Sequence, residues 1–376
     1  MYDMTGNFIG ERLRLARLMR GCTLQEAGDA ASVTRQHINQ LESETRSPSD
    51  DVLAALAEFF GVEPSFFSKP IRNEVKLDQC HFRKRKTTPV GVSNRVAAYS
   101  TLFEQLVELL HEELELPEPA FDIAEKLGFD TSNLTSESIE QLAEAVRKHW
   151  GLRNDCPIES MVAVLEAHGA VVTCFEGISE KVDALSVQRR YPLVIRNKAK
   201  ESACRMRFDL AHECGHLIMH EGVETGDTKT EGEANAFASA FLMPRGAFSV
   251  EFKSCISRGR LNWNELYEMK RRWRVSVRAI IYRAHFLGLI SAQTYRSANV
   301  TLNKTGQSKH EELDDVIPME EPEILNLAFS LLREELHVGF SDVAKKLGVS
   351  TSILSQLTGI AADDTDDDRK VVPLRW

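Results

Sequence analysis

The run FDLAHECGHLIMH, residues 208–220, places His212, Glu213 and His216 where they can do chemistry together. On a helix the two histidines lie one turn apart on one face, offset by roughly 40°, so both imidazoles can grip one metal ion. Glu213 falls at the border of that face, where its carboxylate can reach a water held by the metal. H-E-x-x-H on a helix is the pattern of zinc-dependent hydrolysis, with two ligands and a general base. Phe208, Leu210, Ala211, Cys214, Leu217 and Ile218 supply the apolar flanks of a buried helix. Gly215 clears space beside a ligand, and Gly222 provides a stop. Cys214 points off the histidine face and is read as packing.

A catalytic site needs a third protein ligand and an open fourth position. His220 lies two turns, roughly 12 Å, along the axis from His212, too far for one tetrahedral ion to hold both with His216. It is read instead as a polar group where the helix surfaces. The segment EGEANAFASAFLMP, residues 231–244, predicts a second, mostly buried helix ended by Pro244. Glu231 and Asn235 share a face on it at i, i+4, offering a carboxylate ligand and an acceptor for a ligand histidine's free N–H. Glu233 points elsewhere on a regular helix and is the alternative third ligand.

The paired motifs RFDLAHECGHLIMH and EGEANAFASAFLMP resemble the ImmA/IrrE family of zinc metallopeptidases, with similarity running from about residue 155 to 290. That resemblance implies His212, His216 and Glu231 as Zn²⁺ ligands and Glu213 as catalytic base. Asn235 stands where gluzincins often carry Asp; an amide still accepts the histidine hydrogen bond but polarises it less. The expected fold is mainly α, with an α+β zincin-like (gluzincin) metallopeptidase core.

Those motifs need elements to position them. Short β-like runs at 170–175, 184–187 and 193–195 precede the metal helix, as an α+β zincin requires. An edge strand there could hold a substrate backbone in extended form. Helical patterns at 139–150 and 158–168 come before the strands. After Pro244, residues 263–290 are helical and rich in Arg; they either pack beneath the site or touch DNA. His285 has no metal partner at a sensible spacing and is read as structural.

Residues 7–62 show short helical patterns of their own. Ile9, Leu13, Ala16, Leu18 and Met19 form the apolar side of a first helix. Thr23 caps a second over 24–31, a tight turn leads to a third over 34–42, and Ser49 and Gly61 bound a fourth. Two short helices joined by such a turn make a helix-turn-helix, whose second helix enters the major groove. The stretch LQEAGDAASVTRQHINQLESETRSPSDDVLAALAEFFGV resembles the XRE/Cro-type repressor domain over nearly all of residues 8–64. The resemblance implies that Gln25 touches the DNA backbone and that Thr34, Arg35, Gln36 and Asn39 face base edges or phosphates. Arg suits guanine, and Gln and Asn suit adenine. Ile38 and Leu41 belong to the core. Residues 1–70 hold seven Arg or Lys against ten Asp or Glu, poor for a tight non-specific binder. A retained protein-interaction module is therefore the other reading of this domain.

The chain of 376 residues suggests two or three domains, laid out as 1–68 helix-turn-helix, 69–135 basic linker and helical connector, 136–296 metallopeptidase, 297–322 acidic linker, and 323–376 a C-terminal helical segment with an acidic tail. Residues 81–86, HFRKRK, are either a solvated linker or a basic arm that supplies phosphate contacts. Residues 92–115 predict a long amphipathic helix for interdomain or dimer packing. FSDVAKKLGVSTSIL (340–354) echoes FDIAEKLGFDTSNL (121–134), each with the shape of helix, Gly turn and capped helix. The tail at 363–368 reads as disordered.

Hydrophobic residues make up 43% and charged residues 27%, as in a soluble globular protein. There is no run of about 18 apolar residues for a membrane span. The opening MYDMTGNFIGERL has neither a basic n-region nor an apolar h-region. Seven scattered cysteines without a C-x-x-C pair point to reduced thiols, so the expectation is a cytoplasmic chain. A net charge of −10 argues against a general nucleic-acid coat protein.

Two functions fit. One is a regulator that binds operator DNA, as a homodimer by half-site symmetry, and, as the family resemblance implies, cleaves a repressor or antitoxin protein under stress or mobile-element induction. The other is a non-proteolytic repressor or antitoxin whose metal domain senses or scaffolds.

Overall fold

A computed structural model describes residues 8–76, 80–84, 90–175, 182–197, 202–223, 225–308 and 310–361, with backbone alone for 80–84, 175, 182–183 and 197. The expected disordered tail at 363–368 lies outside the described residues. The molecule is mainly helical around one small mixed sheet. No helix among the described residues is long and apolar enough to cross a membrane.

The first four helices are α1 (Gly10–Arg20), α2 (Leu24–Ala30), α3 (Arg35–Glu42) and α4 (Asp50–Phe60). Their ends follow local chemistry. The Thr23 hydroxyl oxygen accepts from the Glu26 N–H while Glu26 reaches back to Thr23, a reciprocal cap for α2. The Thr34 and Ser49 hydroxyl oxygens alone cap α3 and α4, accepting the His37 and Val52 N–H groups. Gly61, at φ 69°, ends α4. Between α2 and α3 the chain doubles back so closely that a Cβ on Gly28 would lie 2.7 Å from the Val33 carbonyl oxygen.

Next come β1 (Cys80–Lys84), the 24-residue α5 (Val90–Glu113), α6 (Ser136–His149), α7 (Met161–Ala167), β2 (Val171–Phe175), β3 (Val182–Val187) and β4 (Leu193–Asn197). The sheet order is β1-β3-β4-β2, with β2 and β4 parallel and the other pairs antiparallel. Side chains alternate across it. Val172 and Val194 face the core of the metal-motif helices. Val171, Leu185, Val187, Leu193 and Ile195 face a second core. β2 and β4 are therefore apolar on both faces, which is why these runs read as strands in the sequence.

The metal-motif layer is α8 (Ala203–Met219) against α9 (Thr228–Leu242). It is backed by α10 (Arg245–Glu251), a two-residue hairpin of β5 (Ile256–Ser257) and β6 (Arg260–Leu261), α11 (Trp263–Trp273), α12 (Val277–Phe286) and α13 (Ala292–Lys304). The Arg-rich region at 263–290 packs. Trp273, Val277, Ile280 and Ile281 are buried, and Arg283 is buried on the Glu140 carboxylate.

Two stretches expected to be linkers are built into the fold. Cys80–Lys84, expected within a basic linker, is the outer strand of the sheet. Residues 297–304 continue α13, and three of the six acidic residues that follow, Glu311, Asp314 and Glu320, turn inward. Buried Lys270 lies 2.6 Å from Asp314 and 3.2 Å from Glu311. Glu311 also accepts the Val277 N–H at the start of α12. Glu320 pairs with buried Arg207 and accepts the Met161 and Val162 N–H groups at the start of α7. Buried cations and helix N-termini both require carboxylates, and this stretch supplies them.

The C-terminal helices α14 (Ile324–Glu335), α15 (Phe340–Leu347) and α16 (Thr351–Thr358) share one hydrophobic core with the N-terminal helices, α5 and a face of the sheet. Glu63 N–H donates to the Gly348 carbonyl and Ser350 N–H to that of Gly61. Lys69 donates to the Lys346 carbonyl, Tyr99 to Gln356, and Thr173 to the Leu357 carbonyl.

Glu166 anchors the start of α14 by accepting the Glu323 and Ile324 N–H groups. Burial raises its carboxyl to about 7, against the opposing pull of those two donors. Its proton is thus held more tightly folded than unfolded, so the contribution of Glu166 to stability is full below about pH 4.5 and is lost as pH rises through about 7. Glu166→Gln keeps an acceptor oxygen and removes the titration. Urea unfolding of the variant at a series of pH values is expected to show a flatter decline between pH 5 and 8 than the parent. Identical slopes would contradict this.

Candidate metal centre

α8 and α9 approach closely because Gly215 faces Phe237; a Cβ there would lie 3.1 Å from the ring. From the sequence, Gly215 is expected to clear space beside a ligand. What it clears is room for the neighbouring helix. His212, Glu213 and His216 of α8 are all buried.

Glu231, in the first turn of α9, completes a three-donor cluster with His212 and His216. The two Nε2 atoms are 3.0 Å apart, and Glu231 oxygens lie 3.5 Å from that of His212 and 3.4 Å from that of His216. Three ligands at about 2.05 Å from a tetrahedral ion stand roughly 3.3 Å apart, so the spacing suits Zn²⁺. Glu231 Oε1 is a buried acceptor with no hydrogen-bond donor among the described residues, which also fits a cation. Burial opposes ionisation of Glu231, but His212 and His216 outweigh it and hold its carboxyl below the usual range. Burial lowers His216 to about 4, keeping the neutral imidazole that a metal requires.

Glu233 is not part of this cluster. Its carboxylate turns to His220 Nε2 at 3.0 Å. Asn235 stands where the sequence placed it, its Oδ1 3.1 Å from His212 Nδ1. His220 corrects an expectation: it is 3% exposed rather than surfacing, and its Nδ1 lies 2.9 Å from His216 Nδ1. The i, i+4 spacing from His216 was the signal for this contact.

Glu213 is 1% exposed, and the Ser186 hydroxyl of β3 donates to its Oε2 at 2.5 Å. Burial raises this carboxyl to about 7, with His212 and Ser186 pulling the other way. Nothing in the sequence singled out Ser186, beyond its inward place in the strand alternation. His81 of β1 sits opposite Ser186 in the ladder, so β1, not β3, forms the sheet edge on this side.

In the N-terminal domain, Gln25, Thr34, Arg35, Gln36 and Asn39 are all exposed, on α2 and on α3 with its cap, while Ile38 and Leu41 are fully buried. Two of the five have local partners. Gln25 donates to Asp29 at 2.7 Å, and the Thr34 oxygen accepts the His37 N–H. His285 stacks on Tyr295, in keeping with a structural role.

Residues 165–285 match the family model described as the IrrE N-terminal-like domain, and residues 13–67 match the helix-turn-helix family model. The chain thus joins an N-terminal helix-turn-helix domain to an IrrE-like domain. No curated protein matches it. Among solved structures it is similar to a Mycobacterium tuberculosis transcriptional regulator, at 14% identity and a TM-score of 0.29 over 48% of this chain. It spans 51% of that regulator's length.

Gly215→Ala tests the helix contact. Phe237 would have to give by a few tenths of an ångström, and overpacking of this kind costs about 1–3 kcal/mol. A lowered urea midpoint with unchanged far-ultraviolet circular dichroism is expected. A midpoint equal to the parent's would show that the contact is looser than described.

Proposed function

We propose that this protein is a DNA-binding regulator whose IrrE-like domain is a zinc-dependent endopeptidase. One observation carries the reading: donor atoms of His212, His216 and Glu231 converge from two helices at the spacing of one ion, with the buried carboxylate of Glu213 beside His212 on the same helix. Bound Zn²⁺ would supply Lewis acidity to a water and to a peptide carbonyl. Glu213, held by Ser186 and shielded from bulk water, takes the proton of the attacking water and returns it to the leaving amine. Asn235 accepts the His212 N–H and so keeps Nε2 free for the metal. The substrate proposed is a repressor or antitoxin protein, presented in extended form along the sheet edge. The helix-turn-helix domain would bind operator DNA as a homodimer, with Arg35, Gln36 and Asn39 toward the bases and Gln25 and Thr34 toward the backbone, in a cytoplasmic setting.

A non-proteolytic reading, with the metal domain as sensor or scaffold, is favoured by one feature. β1 already lies along β3 beside the site.

Elemental analysis is expected to give one zinc per chain, lost in His212→Ala and in Glu231→Ala. Glu213→Gln should retain the zinc while cleavage of co-encoded repressor proteins falls by about 10²–10⁴-fold, the usual weight of a general base. Cleavage at the parent rate in Glu213→Gln would remove the peptidase reading; a parent that binds zinc and cleaves nothing would favour the sensor.

For the DNA face, Arg35→Ala and Gln36→Ala should each weaken binding to operator fragments by about 1–3 kcal/mol and relax the preference for one base pair. Fluorescence anisotropy reads both. Unchanged affinity in both variants would leave the domain as a protein-interaction module.

A further inference from the structure

His220 and Glu233 take no part in the proposed ligand set, yet both are tied to it. His220 closes α8 and is 3% exposed; the Glu233 side chain, on α9, is 12% exposed. Between them they make an unbroken line from His216: Nδ1 to Nδ1 at 2.9 Å, then His220 Nε2 to Glu233 Oε2 at 3.0 Å.

Accepting His212, His216 and Glu231 as the ligand set, the protons along this line have one arrangement. The His216 Nε2 faces His212 and Glu231, so a neutral ring that gives this nitrogen to the metal carries its proton on Nδ1. That N–H donates to His220 Nδ1, which puts the proton of His220 on Nε2, where it is donated to Glu233. Neither nitrogen of His220 is left for the ion. His212 is held differently, by the uncharged amide of Asn235. The line also runs from the end of α8 to α9, the two helices that carry the ligands.

We infer that His220 and Glu233 are positioning residues, a hydrogen-bonded relay that fixes the tautomer and ring orientation of His216 for a divalent cation such as Zn²⁺. The relay explains why an acid stands at both 231 and 233: one turns to the ion, the other to the histidine that orients a ligand.

The test uses the full-length chain stripped of metal. Zinc affinity is measured by competition with a chromophoric chelator, and the site is viewed through the absorption bands of bound Co²⁺. His220→Ala and Glu233→Ala should each weaken zinc binding by about 10–100-fold and shift the cobalt bands. Glu233→Gln, whose carbonyl accepts the same N–H, should recover most of the affinity. The double alanine variant should lose no more than His220→Ala alone, whereas Glu233→Ala and Asn235→Ala, acting on different ligands, should add. Should His220→Ala not fold, His220→Phe takes its place, because its ring keeps the volume while offering neither an acceptor to His216 nor a donor to Glu233. Parent-like affinity and cobalt bands in the alanine variants, with zinc bound by the parent, would overturn the relay and leave the ligand set standing. A parent that binds no zinc would overturn both.

Discussion

The contact between α8 and α9 is the constraint on which the site depends. Gly215 lets Phe237 close in, and the same approach carries Glu231 to the two histidines. Such a contact brings polar groups into a dry interior, where each must find a partner. They do so in pairs that also orient them: His212 with Asn235, His216 with His220 and Glu233, and Glu213 with Ser186. The apolar packing sets the distances, and the hydrogen bonds set which nitrogen or oxygen faces inward.

The sheet separates this layer from a second core that belongs to the N-terminal helices, α5 and the C-terminal helices alike. The helix-turn-helix domain is therefore not a bead on a string. Its last residues bond to the turn between α15 and α16, and α16 rests on β2 through Thr173 and Leu357. The helix-turn-helix domain is joined by continuous packing to the face of the sheet opposite the metal helices. What joins the two ends is one core and one sheet.

Local features were legible in the sequence. His212 and His216 repeat with the helical period, Asn235 follows Glu231 by one turn, and the hydroxyl caps stand beside the helices they start. Strands β2 to β4 announced themselves as short apolar runs. What was hidden lies in long-range pairing. Cys80–Lys84 is basic and reads as solvated, and only its partner across a hundred residues makes it a strand. Glu311, Asp314 and Glu320 look like a solvated acidic run until Lys270, Arg207 and the exposed helix starts are placed beside them. His220 lies too far from His212 to share its ion, and only the fold shows that its i, i+4 relation to His216 is a direct contact.

The proposed zinc ion, held between two helices by two imidazoles and a carboxylate, is open to X-ray absorption at the zinc edge of the purified full-length chain. The account predicts nitrogen and oxygen scatterers only, at about 2.0–2.2 Å, with the multiple-scattering signature of two imidazoles. A sulfur shell at about 2.3 Å, which would bring Cys214 or another thiol to the metal, or a single imidazole, would contradict it.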